Sequence, residues 1–265
     1  YMNFKKRTCK TVDFALSQDE IELYQRVNDF LKRELLYSIP TSNRGLIILV
    51  IRKLLASSSF ALIETFEILK NRLEKLYEGS KSANAQEGFE LFWSYVEDEI
   101  DESGFDETED EDTIVQKQFI QAELDEINTI IDVAKRIKSN AKITALKTAI
   151  QIAFDYQQEQ GILQKVVIFT ESKRTQKYIA SELRKTGFED EDILLFNGDF
   201  DDTMTKKIYR AWQIRNYGKV NYGRSVEYKH AIVDYFQHNA KILICTDAGS
   251  EGLNLQFWNT IINYD

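Results

Sequence analysis

The sequence predicts an α-helical region followed by an α/β domain built on a mostly parallel sheet. Apolar residues recur at three- and four-residue steps through the first 160 positions, while from Gly161 onward short β-branched runs alternate with helical stretches. One proline and eleven glycines in 265 residues are too few for a turn-dense all-β fold or a disordered or collagen-like chain.

The elements follow in order. Over 17–36, Ile21, Leu23, Tyr24, Val27, Phe30, Leu31 and Leu35 share one helical face, and Ser17 followed by Glu20 makes a capping box. Pro40 breaks the chain. Helices are expected over 46–55 and 60–77, a loop over 79–88 and a short aromatic-rich helix over 89–96. From 116 to 158, Phe119, Ile120, Leu124, Ile127, Ile130, Ile131, Ala134 and Ile137 support one long helix or two. Strands are expected at 165–170, 193–197, 241–246 and 260–264, with helices over 172–185 and 225–238 between them. The boundary so drawn separates a helical region, 1–160, from an α/β domain, 161–265. Ligands of parallel sheets bind at the carboxyl ends of the strands, which are 170–174, 197–200 and 246–255 here.

Charge is unevenly spread. Eleven acidic residues and no basic one stand between Glu97 and Asp112, so setting them aside turns the formal −9 into +2. A block of like charge repels itself and reads as a solvated linker. Two cysteines, Cys9 and Cys245, and two histidines, His230 and His238, are too few for a disulfide framework or a four-ligand zinc site without carboxylates. No bound metal is expected in this chain. The longest apolar run, 45–51, falls far short of the ~20 residues of a membrane span, and the N-terminus has no signal-peptide pattern. The expectation is a reduced, cytoplasmic protein without membrane contact.

The most informative string is ILICTDAGSEGLNLQFWNTIINYD, 242–265. A buried strand runs into Thr246 and Asp247, then a loop with Gly249 and Gly252 flanked by Ser250, Glu251 and Asn254. Glycine lets a backbone approach a phosphate closely, and exposed amides in such a turn bind anions; closing a strand-to-helix turn would account for the same glycines. This string resembles motif V of superfamily-two helicases, and GSEGLNL followed by INYD resembles the Swi/Snf-type translocases, in particular the bacterial branch typified by the RNA-polymerase-associated ATPase. VVIFTESKRTQKYIASELRKTGF, 166–188, resembles motif IV, and LLFNGD, 194–199, resembles the strand and turn after it. The segments 12–24, 52–76 and 141–150 resemble the helical lead-in of that branch.

The resemblance implies a RecA-like, P-loop-NTPase-type lobe. Such enzymes hold ATP between two lobes and nucleic acid across their tops. The first lobe brings the Walker A lysine and the acidic Walker B residue for Mg²⁺, and the second brings arginines of motif VI. No G-x-x-x-x-G-K-[ST] occurs in this sequence, and motif VI would be expected beyond Asp265. The expectation is therefore the helical lead-in and most of the second lobe of a larger enzyme, inactive in ATP hydrolysis by itself, with ATP and Mg²⁺ used by the intact protein. The apolar run 92–96 followed by three acids mimics a Walker B strand only superficially. A Rossmann-type small-molecule enzyme is disfavoured, because no G-x-G-x-x-G follows the strand at 167–170.

Carried over by resemblance, Thr246 contacts the nucleic-acid backbone, Gly249 and Gly252 shape the loop, and Glu251 and Asn254 sit near the nucleotide cleft. For Glu251 and Asn254, loop capping is the alternative. Thr170, Ser172 and Lys173 end a strand and open a helix, where hydroxyl, amides and cation can meet a phosphate; helix capping by Ser172 explains the same pattern. Gly198 matches the turn residue that offers its amide to the strand, or simply closes a tight turn. Over 203–225, six cations, Lys206, Lys207, Arg210, Arg215, Lys219 and Arg224, interleave with Tyr209, Trp212, Tyr217 and Tyr222. They are arranged either for phosphates and bases or as an insertion whose aromatics pack inward. The functional expectation is an ATP-dependent double-stranded DNA translocase, its alternative a non-catalytic module that binds a protein such as RNA polymerase.

Overall fold

In a computed structural model of the chain, the described residues are 8–40, 44–57, 59–78, 117–197, 202–218, 222–246, 253 and 259–264. The expected loop at 79–88, the aromatic-rich segment 89–96, the Walker B mimic and the acidic block lie outside them.

Among the described residues, four helices form the first unit: α1 (Gln18–Leu31), α2 (Arg44–Ser57), α3 (Ser59–Tyr77) and α4 (Lys117–Arg136). Ser17 and Glu20 close the capping box, with Glu20 N donating to Ser17 Oγ at 3.3 Å and Ser17 N to Glu20 Oε2 at 2.7 Å. Val27, Phe30, Ile51, Leu62, Phe66 and Ile127 are sealed from solvent in one core, where the Phe30 and Phe66 rings lie 5.5 Å apart. The first helix stops at Leu31, short of the expected 36, because the chain turns inward to bury Leu36 and Ile39. The buried carboxylate of Glu123 on α4 holds that turn, accepting from Tyr37 N at 2.8 Å, Ser38 N at 3.0 Å and the Ser38 hydroxyl.

Past Arg136 the long periodic stretch divides in two. Asn140 accepts from Lys142 N at 2.8 Å and so caps α5 (Ala141–Glu159). Ile143, Leu146, Ile150 and Phe154 of α5 share a core with strand residues Val166, Ile168, Ile242 and Ile244. Packing thus parts between Ile137 and Ile143, ahead of the change of grammar at Gly161.

The sheet has four parallel strands in the order β2-β3-β1-β4, namely β1 (Val166–Thr170), β2 (Ile193–Phe196), β3 (Ile242–Thr246) and β4 (Ile261–Asn263). Alternate residues serve opposite faces. Val166, Ile168, Ile242 and Ile244 meet α5 and α6 (Lys173–Arg184) on one side. Val167, Leu194, Phe196, Leu243 and Cys245 meet α7 (Thr203–Arg215) and α8 (Arg224–His238) on the other. Both faces being covered explains why the strands are uninterrupted apolar runs. Burial pushes the Cys245 thiol up to about 12, which leaves it protonated and inert.

Helix α7 occupies the segment expected as an insertion. Asp202 caps it, accepting from Thr205 N at 2.9 Å. Ile208, Tyr209 and Trp212 pack into the core, so of the four interleaved aromatics Tyr209 and Trp212 are structural, and only Tyr217 and Tyr222 are exposed. Helices α7 and α8 run side by side in the same direction. Tyr209 pairs with Glu227 at 3.0 Å, Trp212 stacks on His230 at 6.4 Å between centroids, and Arg215 pairs with Asp234 at 3.0 Å. At the amino edge of the sheet, buried Lys165 closes the end of α8 by donating to Phe236 O at 2.7 Å and Ala240 O at 2.5 Å. No helix among the described residues is long and apolar enough to cross a membrane.

Candidate functional site

Because all four strands are parallel, the helix that follows each strand starts at the carboxyl edge. Strand β1 ends at Thr170 and α6 begins at Lys173, so two residues make the whole connection. Ser172 stands at the N-cap, its hydroxyl accepting from Arg174 N and Thr175 N, each at 3.1 Å. The capping role therefore engages that hydroxyl, and Ser172 is buried. Lys173 is half-buried beside it.

Thr170 and Thr246 are register partners on adjacent strands, about 4.8 Å apart by strand spacing, and both belong to the face that carries α6. They are 2% and 5% exposed. Gln176, one turn into α6, reaches across with its Nε2 donating to Ile244 O at 2.7 Å. Three buried polar atoms here have no hydrogen-bond partner among the described residues: Thr170 Oγ1, Thr175 Oγ1 and Gln176 Oε1. A buried polar atom left unpaired costs about 1–3 kcal/mol, so a cluster of three is uncommon in a folded core.

Gln176 is a residue of this candidate site that sequence reasoning missed. Its signal was a polar side chain among the inward positions of α6, where Thr175, Gln176 and Glu182 are buried beside Ile179, Ala180 and Leu183.

The helical unit reaches the same edge. Lys53 of α2 pairs with Glu171 at 3.0 Å, and the Phe60 and Tyr178 rings lie 5.3 Å apart. Positive groups gather on this side as well: Lys173 and Arg174 open α6, and Arg224 opens α8. Each such helix start adds the partial positive charge of its free amides. Gly198, Gly249, Glu251, Gly252 and Asn254 lie outside the described residues, so the loop assigned by resemblance to the nucleotide is not on view. Leu253 packs against the core beneath α7 and α8. Among the described residues no three His, Cys, Asp or Glu side chains stand together as a metal site would require.

Residues 141–265 match the helicase conserved C-terminal domain. Over 150 residues the chain is 29% identical to a protein named as an uncharacterized ATP-dependent helicase, YqhH, of Bacillus subtilis (strain 168). The match takes in 57% of this chain and 20% of that protein, so the chain spans about a fifth of the length of the relative it matches. The α/β part is thus similar to helicase C-terminal domains, and its parallel four-stranded sheet flanked by helices agrees with a RecA-like lobe. The domain match starts at Ala141, the first residue of α5, where the packing also parts.

Proposed function

We propose that the intact protein is an ATP-dependent translocase on double-stranded DNA, of the Swi/Snf type, in which this chain supplies part of the ATP cleft and of the nucleic-acid track. The observation that carries the reading is the carboxyl edge itself. In a helicase C-terminal domain, Thr170 and Thr246 stand side by side next to the amide end of α6 and Lys173, a set of donors and charge suited to phosphate oxygens.

In this reading Thr246 and Thr170 contact the backbone of one strand and Lys173 adds charge. The Ser172 hydroxyl stays with the helix, leaving that residue's role to shape, and Gly198 offers its amide at the next strand end. Gly249 and Gly252 form the loop that carries the nucleotide's influence to the track, with Glu251 and Asn254 facing the cleft. ATP binds there, with Mg²⁺ held by residues of the other lobe. Phosphate contact makes binding salt-dependent and largely indifferent to sequence. The likeness over 150 residues to a protein named as an ATP-dependent helicase supports ATP use.

The test is ATP hydrolysis by the intact protein with and without duplex DNA, beside Thr246→Ala. Duplex should stimulate hydrolysis, and the substitution should lower that stimulation about tenfold, as expected when a hydrogen bond to a charged oxygen is lost. Hydrolysis indifferent to DNA and RNA alike would sink the reading and leave a protein-interaction module on a helicase scaffold.

A further inference from the structure

Helix α7 presents an outward face that the core does not use. Its inward positions are Thr205, Ile208, Tyr209 and Trp212, all buried, while consecutive Lys206 and Lys207 are exposed with Arg210 about one turn, roughly 5 Å, further along the axis. Lys207 and Arg210 make no ion pair among the described residues, and no acidic side chain lies within α7. Arg215, by contrast, is engaged by Asp234.

The direction of α7 gives those cations a location. Its contacts with α8 advance in step, Tyr209 to Glu227, Trp212 to His230, Arg215 to Asp234, so the two helices are parallel. The end of α8 is tied by Lys165 to the amino edge, which puts the starts of both helices toward the carboxyl edge. Lys206, Lys207 and Arg210 occupy the first half of α7, and so continue outward from the side where Thr170 and Thr246 end their strands. Two parallel helix starts add positive potential of the same sign.

We infer that this face of α7 is a second contact for the duplex, with Lys206, Lys207 and Arg210 neutralising phosphates outside the strand-end track. The inference rests on the duplex-translocase reading above and extends the path of the nucleic acid across α7. Phosphate backbone is the occupant that the chemistry favours. The cations repeat at helical spacing beside the candidate track, and the exposed aromatic next to this helix, Tyr217, stands two residues past its far end, away from the charge.

The experiment is fluorescence anisotropy of a labelled random-sequence duplex with the intact protein across a salt series. Wild type is compared with the double variant Lys207→Glu, Arg210→Glu, with Thr246→Ala, and with Lys138→Glu as a cation of the helical unit. Circular dichroism and melting establish that each variant is folded. The α7 variant should bind on the order of tenfold more weakly at low salt, with the slope of log K against log salt reduced by about 0.9 per lost contact, while Lys138→Glu stays near wild type. Wild-type affinity and slope in the α7 variant, with Thr246→Ala weakened, would overturn this inference and leave the translocase reading standing. Wild type that fails to bind duplex would overturn both. Unchanged duplex affinity together with lost binding of poly-L-glutamate would overturn it in favour of an acidic protein partner.

Discussion

Gln176 shows how a single polar residue at a core position couples packing to the candidate site. Its Nε2 is committed to Ile244 O at 2.7 Å, whereas its Oε1 is buried with no partner among the described residues. Replacing it with leucine, a side chain of similar volume, removes a bond contributing about 1 kcal/mol and an orphan acceptor costing about as much. Gln176→Leu should therefore change stability by less than about 1 kcal/mol, and Gln176→Ala, which also leaves a cavity, should cost about 2 kcal/mol or more. Urea denaturation of the two variants checks this, and the reverse ranking would mean that Oε1 has a partner in solution. At this scale the sequence was partly legible. Ser17 and Ser172 before their helices could be read as caps because capping is local chemistry; the pairing of Thr170 with Thr246 depends on strand register, which no local pattern encodes.

Among the elements, α5 and α6 are joined by one carboxylate. Glu182 of α6 accepts from Lys147 of α5 at 3.0 Å and from Lys185 at 2.5 Å. Burial works to raise its pKa, but the hydrogen bonds from Lys185 and Lys147, helped by their charges, outweigh it and hold the carboxyl below 4.5. A depressed folded value means the unfolded chain takes up the proton first as pH falls. The contribution is fully present above about pH 4.5 and is lost as pH drops through the folded value. With Lys185 largely exposed, the pair is screened and contributes about 1 kcal/mol or less. Glu182→Gln should remove that increment at neutral pH and flatten the acid limb of stability against pH; equal acid sensitivity in both proteins would refute the assignment. The strands were legible as elements because, buried on both faces, they are continuous apolar runs. Helix α7 was not, since Ile208, Tyr209 and Trp212 are its only buried large residues and cations fill the gaps between them. Nor was the allegiance of α5 readable, because helical period reports which face is buried and says nothing about what covers it.

Across the whole molecule, the two cores are joined by interactions that each capture a helix end. Glu20, 3% exposed, closes the capping box of α1 with Oε2 and with Oε1 accepts from Ala141 N, the first amide of α5, at 2.8 Å. One carboxylate thus serves helix starts in both units. In return, the last carbonyls of α2 are taken by the α/β part: Lys142 Nζ donates to Ala56 O at 3.3 Å while lying 4.7 Å over the Tyr264 ring, and Tyr264 OH donates to Ser57 O at 3.3 Å. Backbone groups at helix ends have no partner within their own helix, so losing these contacts removes partners that the helix itself cannot replace. The helical unit should consequently unfold together with the sheet. Glu20→Ala strips acceptors from two amides and should cost about 2 kcal/mol, while Glu20→Gln keeps an acceptor oxygen and should cost less. Native-state hydrogen exchange reads the coupling directly. In wild type, amides of α1–α4 and of β1–β3 should exchange with the same limiting free energy, and in Glu20→Ala those of α1–α4 should exchange at a lower one. A helical unit that already exchanges independently in wild type would mean that these contacts orient the two bodies without stabilising them. Equal exchange in Glu20→Ala and wild type would assign the coupling to the Lys142 and Tyr264 contacts instead.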